Sequence, residues 1–398
     1  MKKSVLIVSH ALELGGAERS LIGLLDALDA EQCEIDLFLL RHEGELIDAI
    51  PRHINILPQI PQYSVLARPM KDTLKEGHVV LTAARIIGKI MANRFAIKHD
   101  HKDSIVPLEY SHKFTCPFMP MIMPDKNYDL AISFLTPHYF VARKVNAKKK
   151  IAWIHTDYSQ VQVNTKSETK MWDSYDKVIS ISENVTEAFL KTFPKIKDKI
   201  TVIENILSEN LIRKQAEEKI NDLIKCEGEK VLLSIGRFSY AKNFDNVPWI
   251  CKKMVESDVN VKWYLIGYGS DEDLLRKKIA EAGMEKNVIL LGKKVNPYPY
   301  IKACDVYVQP SRYEGKCVTV REAQILGKPV VITKYATSAS QLEDNVDGII
   351  VPMDNDMCAA EIITFLQNKS KIERIVKNCL NRDYSNANEV QKIYKLMR

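Results

Sequence analysis

The sequence has no C-x-x-C pair, no Cys/His cluster at zinc spacing and no long apolar run, and each absence removes a class of protein. Its eight cysteines (Cys33, Cys116, Cys226, Cys251, Cys304, Cys317, Cys358 and Cys379) are scattered. That pattern reads as reduced thiols in a cytosol, not as a disulfide framework. The opening MKKSVLIVSH carries two lysines and then only a short apolar stretch, which reads as a first strand and not as a signal peptide. No stretch approaches the ~18 apolar residues that span a bilayer, so any membrane contact is expected to be peripheral. Neither half has the G-x-G-x-x-G turn that a dinucleotide-dependent dehydrogenase places after its first strand. A net charge of +6 is too small to indicate a nucleic-acid partner.

What is present is an ordinary globular composition, with 46% hydrophobic and 27% charged residues, which excludes disorder and a coiled coil. At 398 residues the chain exceeds the size of a single core, so two domains of roughly 200 residues are expected. In the first half, short apolar runs alternate with amphipathic stretches: SVLIV at Ser4, EIDLFLL ending at Leu40, INIL at Ile54, DLAISF at Asp129, IAWI at Ile151, KVISI at Lys177 and ITVI at Ile200. Lys148, Lys149 and Lys150 read as a turn before a strand. The charged stretch 207–228 reads as a linker. The rhythm restarts with KVLLSIG, VKWYLIG, NVILLG, DVYVQP, KPVVIT and GIIVP. Continuous apolar strands separated by helices are the signature of parallel sheets covered on both faces. The expected fold is α/β, with two doubly wound Rossmann-like domains facing across a cleft: 1–206, then the linker, then 229–384, with 385–398 a C-terminal helix that packs back on the first domain.

Two stretches carry chemistry. In YEGKCVTVREAQILGKP, Glu314 lies in the loop after a buried strand, helix is predicted from Thr319 until Gly327, and Glu322 falls one turn inside it. Two acids bracket a helix start whose free N–H groups, from Gly315 to Thr319, suit an anion, while each acid suits a sugar diol. Read by themselves, Glu314 is equally a loop charge and Glu322 a surface residue. In SIGRFSYAKNFD, Gly236 ends a strand, so Arg237 and Lys242 fall where two cations can converge on a diphosphate; a strand-end ion pair is the plainer alternative. Gly267 and Gly269 mark a strand-to-helix turn that needs glycine for backbone reasons alone. His155, at the end of IAWI, reads either as a sugar-contacting group or as a polar core residue. Asp157 and Glu18 are weaker candidates.

Glu314 and Glu322 form an E-x7-E pair, and with G-R-F-x-x-x-K from Gly236 to Lys242 they resemble the retaining glycosyltransferases of family 4, which share the GT-B fold. HALELGGAERSLIGLL resembles the same family's opening, and the resemblance covers essentially the whole chain. It implies that Arg237 and Lys242 bind the donor diphosphate, that Glu322 bonds the nucleotide ribose, and that Glu314 contacts the donor sugar, with the backbone of Gly315, Lys316, Cys317 and Val318 nearby. Gly16 would lie beneath the phosphates and His155 beside the sugar. Lys316 and Cys317 depart from the small or apolar residues usual after E-G, which leaves the donor sugar open. The resemblance further implies a UDP-linked donor as substrate, no separate cofactor, retention of configuration, and a glycan or lipid-linked acceptor in bacterial surface-polysaccharide synthesis. No metal is expected: the Asp-x-Asp pair of a metal-dependent transferase is read as absent from the sequence, and Arg237 and Lys242 supply the charge an ion would bring.

Positive charge gathers between Arg68 and Lys113, with nine Lys or Arg against five acids, +4 of the chain's +6. Within it, VVLTAARIIGKIMANRFAIK (79–98) interleaves apolar residues at helical spacing with cations, as an interfacial helix does. One reading is docking on an anionic membrane, which would put the protein on the inner face of the plasma membrane. The other is an ordinary amphipathic helix with a solvated basic face. A nucleotide-sugar epimerase or a phosphorylase of the same fold, and a non-enzymatic sugar-binding module, are the rival functions.

Overall fold

The computed structural model describes residues 2–98, 104–135, 137–156, 158 and 161–398. Among these described residues, thirteen strands form two all-parallel sheets. The first contains β1 (Lys3–Ser9), β2 (Cys33–Leu39), β3 (Asn55–Ile56), β4 (Tyr128–Ser133), β5 (Ala147–Ile154), β6 (Lys177–Ser180) and β7 (Ile200–Val202), in the order β3-β2-β1-β4-β5-β6-β7. The second contains β8 (Lys230–Ile235), β9 (Val261–Ile266), β10 (Val288–Gly292), β11 (Val306–Gln309), β12 (Val330–Thr333) and β13 (Ile349–Val351), in the order β10-β9-β8-β11-β12-β13. In each, the chain winds outward from the first strand, returns and winds the other way, leaving a switch point beside that strand where open α/β sheets bind ligands.

The strands form where the sequence is continuously apolar. Val5 to Val8 of β1 and Val231 to Leu233 of β8 are wholly buried, as strands covered on both faces must be. Lys148–Lys150 correct the expected turn: they lie inside β5, pairing with β4 from Tyr128↔Ala147 onward. Their long stems keep the charges at the rim of the sheet, where Lys148 Nζ meets Asp129 Oδ1 at 2.8 Å and Lys150 Nζ donates to the Ala142 carbonyl at 2.9 Å. Helices start on side-chain caps: Asn164 accepts from the Ser167 N–H, Ser182 from Val185 and Ser208 from Leu211.

The chain divides into two compact units, Met1–Ile206 with Ala387–Arg398, and Leu207–Asn386. Residues 207–228 are counted within the second unit, and Ile212 and Ala216 are buried in its core. The terminal helix Val390–Leu396 is held by the first: Tyr394 Oη accepts from the Asp29 N–H at 2.8 Å, and Lys392 Nζ donates to the Val202 carbonyl.

The helix Val79–Lys98 packs through Leu81, Ala84, Gly88 and Ala92 against the helix Val106–Thr115. A Cβ at Gly88 would sit 3.0 Å from the Tyr110 carbonyl oxygen, so the two backbones approach closely there. The opposite face is apolar and exposed, with Val79, Val80, Ile86, Ile87, Ile90 and Ile97 open to solvent. Part of the expected basic face is spent inside the unit. Arg85 donates to the Val65 and Arg68 carbonyls, Arg68 pairs with Glu76, and Lys113 bonds Ser167. Lys71, Lys75, Lys89 and Arg94 remain exposed.

Candidate functional site

In the second unit, β8 runs out at Gly236 and the chain turns through Arg237 into a short 3-10 turn, Tyr240–Lys242. Lys242 folds back over Gly236, whose absent Cβ would lie 3.1 Å from Lys242 Cε. The neighbouring turn after β9 is built for close approach. A Cβ at Gly267, where φ is +154°, would fall 1.9 Å from the Gly236 carbonyl oxygen, and one at Gly269 would fall 2.2 Å from that of Phe238. Arg237 is exposed, and its charge acts on Lys242.

Lys242 Nζ lies 2.5 Å from Glu314 Oε1. The same oxygen accepts from Ser311 Oγ at 2.6 Å, with Gln309 Nε2 farther away at 3.4 Å. Thr337 Oγ1 donates to the Glu314 carbonyl at 2.7 Å, fixing the loop from behind. Burial by itself would lower the Lys242 ammonium, but the Glu314 carboxylate more than offsets it and holds the group above its ordinary value. Arg237, Lys242 and Glu314 are thus brought together.

The helix Val318–Ile325 follows that loop, and Gly327, at φ +66°, closes it. Glu322 is not the surface residue that its position one turn inside a helix allowed. Its side of the helix turns inward with Val318 and Ile325, it has no exposed surface, and Tyr298 Oη donates to its Oε1 at 2.9 Å. The free amides expected before the helix are also fewer. The Cys317 N–H donates to Gln341 Oε1 at 2.6 Å, and Gln341 Nε2 returns a bond to the Cys317 carbonyl at 3.1 Å. Burial and then the Glu314 charge hold the Cys317 thiol above its ordinary range, so it is an inert packing group. Gly315 and Lys316 are half-buried in the loop, and Val318 begins the helix.

Sequence reasoning missed the residues that aim Lys242. Arg312 forks onto Asp245 at 2.9 and 2.7 Å, donates to the Tyr240 carbonyl at 2.7 Å and lies 4.2 Å from the Tyr240 ring centre. Asn243, left-handed at φ +60°, donates to the Pro310 carbonyl at 2.8 Å. Together they tie the Lys242 turn to the Glu314 loop. The signal available was an arginine two residues before the E-G pair.

In the first unit, Gly16 opens the helix Gly16–Ala27, and Glu18 folds back over Gly15, whose Cβ would lie 2.0 Å from Glu18 Oε2. His155 follows β5, half-buried, with its ring 4.7 Å from that of Phe134. Burial pulls its pKa down to about 3, and a bond to the Phe134 backbone only partly opposes this. His155 is therefore neutral near pH 7. Asp157 lies outside the described residues. Beside His155 is a cavity of about 120 Å3 that also takes in Glu109, His112, His138, Tyr139 and Glu168, none of them singled out from the sequence. Their positions along the chain are too far apart for spacing to connect them.

The sequence does hold Asp-x-Asp pairs, which corrects the expectation of none: Asp271/Asp273 and Asp354/Asp356 sit at helix starts, where Asp354 caps the N–H groups of Asp356 and Met357. Among the described residues no cluster of three or more His, Cys, Asp or Glu could hold a metal ion.

Residues 215–382 match the family model described as "Glycosyl transferases group 1". This span contains Arg237, Lys242, Glu314 and Glu322. An uncharacterized glycosyltransferase of Methanocaldococcus jannaschii is 29% identical over 55% of this chain and 60% of its own. A Campylobacter jejuni enzyme, N-acetylgalactosamine-N,N'-diacetylbacillosaminyl-diphospho-undecaprenol 4-alpha-N-acetylgalactosaminyltransferase, is 25% identical over 52% of this chain and 55% of its own. The chain thus spans 60% or less of the length of these relatives. The crystal structure of HepE from Anabaena with UDP and glucose superposes with a TM-score of 0.66, at 18% identity, over 99% of both chains. The fold is GT-B.

Proposed function

We propose that this chain is a glycosyltransferase that moves a sugar from a nucleoside-diphosphate donor, with UDP as the carrier, to a glycan or lipid-linked acceptor in surface-polysaccharide synthesis. The second unit holds the donor and the first holds the acceptor. The observation that carries this reading is the Lys242–Glu314 contact of 2.5 Å, with Arg237 alongside. A cation parked on a carboxylate can be handed to a diphosphate. Lys242 and Arg237 then neutralise the leaving group, and the freed Glu314 carboxylate accepts hydrogen bonds from the donor sugar's hydroxyls.

In the transfer, the bond from the anomeric carbon to the diphosphate oxygen breaks and a bond from that carbon to the acceptor oxygen forms. The acceptor's proton goes to the departing phosphate. Retention of configuration is carried over from the family resemblance, with the acceptor attacking on the face from which the diphosphate departs; Glu314, which Ser311 still holds once Lys242 turns to the diphosphate, serves as a sugar clamp. Neutral His155 offers a hydrogen bond on the acceptor side. Glu322 bonds the nucleotide ribose only by sharing its carboxylate with Tyr298. The reaction needs no metal, since the two cations already meet the diphosphate's charge.

The exposed apolar side of Val79–Lys98, flanked by Lys75, Lys89 and Arg94, supports docking on the anionic inner face of the plasma membrane, where a lipid-linked acceptor resides. The deciding experiment titrates UDP into the protein by calorimetry and compares Lys242→Ala and Glu314→Gln. Loss of a charge-assisted bond should weaken UDP about tenfold or more in Lys242→Ala. Glu314→Gln should bind UDP at least as tightly as the parent, because Lys242 loses its competitor, while transfer collapses. UDP affinity unaffected by Lys242→Ala would remove the donor-site assignment. Consumption of a UDP-sugar without any acceptor, giving an isomeric UDP-sugar, would favour an epimerase.

A further inference from the structure

We propose that the cavity at the carboxyl ends of β4 and β5 recognises an ammonium group, making a primary amine on the acceptor a determinant of acceptance. The proposal deepens the transferase reading above and rests on it for the identity of the ligand as acceptor. The binding itself stands on geometry inside one unit.

Three buried polar atoms around this cavity have no hydrogen-bond partner: Glu109 Oε2, Glu168 Oε1 and His155 Nε2. Glu168 is only 2% exposed. The other halves of these groups are engaged. Glu109 Oε1 accepts from Tyr139 Oη at 2.7 Å and from Ser167 Oγ at 2.6 Å, Glu168 Oε2 accepts from Trp172 Nε1 at 3.3 Å, and the Tyr158 hydroxyl also bonds the Glu168 carboxyl. The His155 ring bonds the Phe134 carbonyl. Because Nε2 is the unpartnered nitrogen, Nδ1 is the donor in that bond and Nε2 presents its lone pair. Once Glu168 is ionised, three acceptors, two of them carboxyl oxygens, therefore border one small space.

A buried polar atom left without a partner costs about 1–3 kcal/mol, so a ligand supplying donors is favoured here. An ammonium carries three N–H donors and no acceptor, which complements three acceptors. A hydroxyl brings one donor and also an oxygen that faces other oxygens. Leu108, Ile154 and Met171 form apolar walls that suit the carbon bearing the amine. The space, about 120 Å3, equals roughly four water volumes. It takes a CH–NH3+ edge more readily than an N-acetyl group, which is larger and has one N–H.

Charge points the same way. Burial, and then the Glu109 carboxylate, push Glu168 up to about 8, so the empty cavity keeps a proton on Glu168 at pH 7. Burial raises Glu109 above its ordinary value, opposed by its bonds to Ser167 and Tyr139 and by the charge of Lys113, which bonds Ser167 at 2.5 Å. His112 and His138 are neutral, each drawn down to about 3 by burial. An entering ammonium favours ionised Glu168, and the displaced proton leaves to solvent.

The test is calorimetry on the whole chain at pH 7, in two buffers of different ionisation enthalpy. The probes are ethanolamine against ethylene glycol, and glucosamine against N-acetylglucosamine. The charged member of each pair should bind about tenfold or more tightly and release close to one proton per ligand. Glu168→Gln should lose both effects. In the parent chain at pH 9 ethanolamine should still bind but release almost no proton, a readout that needs no variant. Equal affinity within each pair, no proton release at pH 7, or a preference that survives in both Glu168→Gln and Glu109→Gln would overturn the proposal. UDP titrated into the same samples separates the two readings: failure to bind UDP would sink the donor site and leave the amine result standing.

Discussion

At the scale of single residues, the donor-site argument depends on how close two backbones come. Gly267 holds φ +154°, and its missing Cβ leaves room for the Gly236 carbonyl. Gly267→Ala should therefore cost about 1–3 kcal/mol for the backbone conformation alone, with the steric overlap added to it. Thermal unfolding reads the loss, and UDP affinity should fall with it because the Lys242 turn begins at Gly236. Arg312→Ala tests positioning without touching substrate. It removes the fork onto Asp245 and the bond to the Tyr240 carbonyl, so Lys242 is no longer held toward Glu314. Its UDP affinity should drop, and Arg312→Lys, which cannot form the fork, should recover little of it. Full recovery by lysine would mean that charge alone matters there. The motif residues were legible in the sequence, but the burial of Glu322 was not. A helix's rotation about its own axis is set by what packs against it, here Tyr298 and the β11 strand, and spacing within the motif does not encode that.

At the scale of elements, the helix Val79–Lys98 is the one whose outward face is apolar. Its narrow inner face of Leu81, Ala84, Gly88 and Ala92 fits closely on Val106–Thr115, which leaves the larger aliphatic residues outside. Ile87→Glu with Ile90→Glu should abolish cosedimentation with phosphatidylglycerol vesicles while leaving UDP affinity unchanged. Lys89→Ala with Arg94→Ala should weaken it by about 1 kcal/mol per charge. Sedimentation equal to the parent in both pairs would make this face a solvent-facing surface. The helix itself was readable from its periodicity, whereas the division of its apolar residues between two faces was not. Lys148–Lys150 failed as a turn for a related reason. Three charges hide a strand whose apolar half begins only at Ile151, and strand pairing with β4 extends it backward.

At the scale of the whole molecule, four groups around one cavity weigh heavily in the response to pH. His112, His138 and His155 each have a folded pKa near 3 against an ordinary 6.5. Below pH 6.5 the unfolded chain binds protons that the folded one refuses, so stability falls as pH drops from 6.5 toward 3. Glu168 acts in the opposite sense. Its folded pKa of about 8 lies above the ordinary 4.5, so the folded chain holds the extra proton and stability declines as pH rises from 4.5 to 8. Below 6.5 the three histidines, joined by His10, which burial and then Arg41 also lower, outweigh Glu168; above it the histidines are neutral in both states, and Glu168, with Glu109 raised by burial in the same sense, sets the slope. Thermal unfolding should therefore peak near pH 6.5, and Glu168→Gln should flatten the descent toward pH 8. A stability that kept rising to pH 8 would contradict the buried, protonated carboxyl. Saturating UDP should raise the curve at every pH, by about 2.7 kcal/mol at one hundred times its dissociation constant.

The sequence by itself determined which segments become strands, their gathering into two parallel sheets and the glycine turn at Gly267 and Gly269, because these rest on local burial pattern and on backbone that glycine adopts most easily. It also placed Lys242 and Glu314 in separate motifs, 72 residues apart. Their meeting at 2.5 Å, and the gathering of Glu109, His155 and Glu168 around one cavity, were decided by tertiary structure. Parallel strands carry the residues at their carboxyl ends to one edge of a sheet however far apart they lie in the chain, and which of them touch depends on strand order and helix packing.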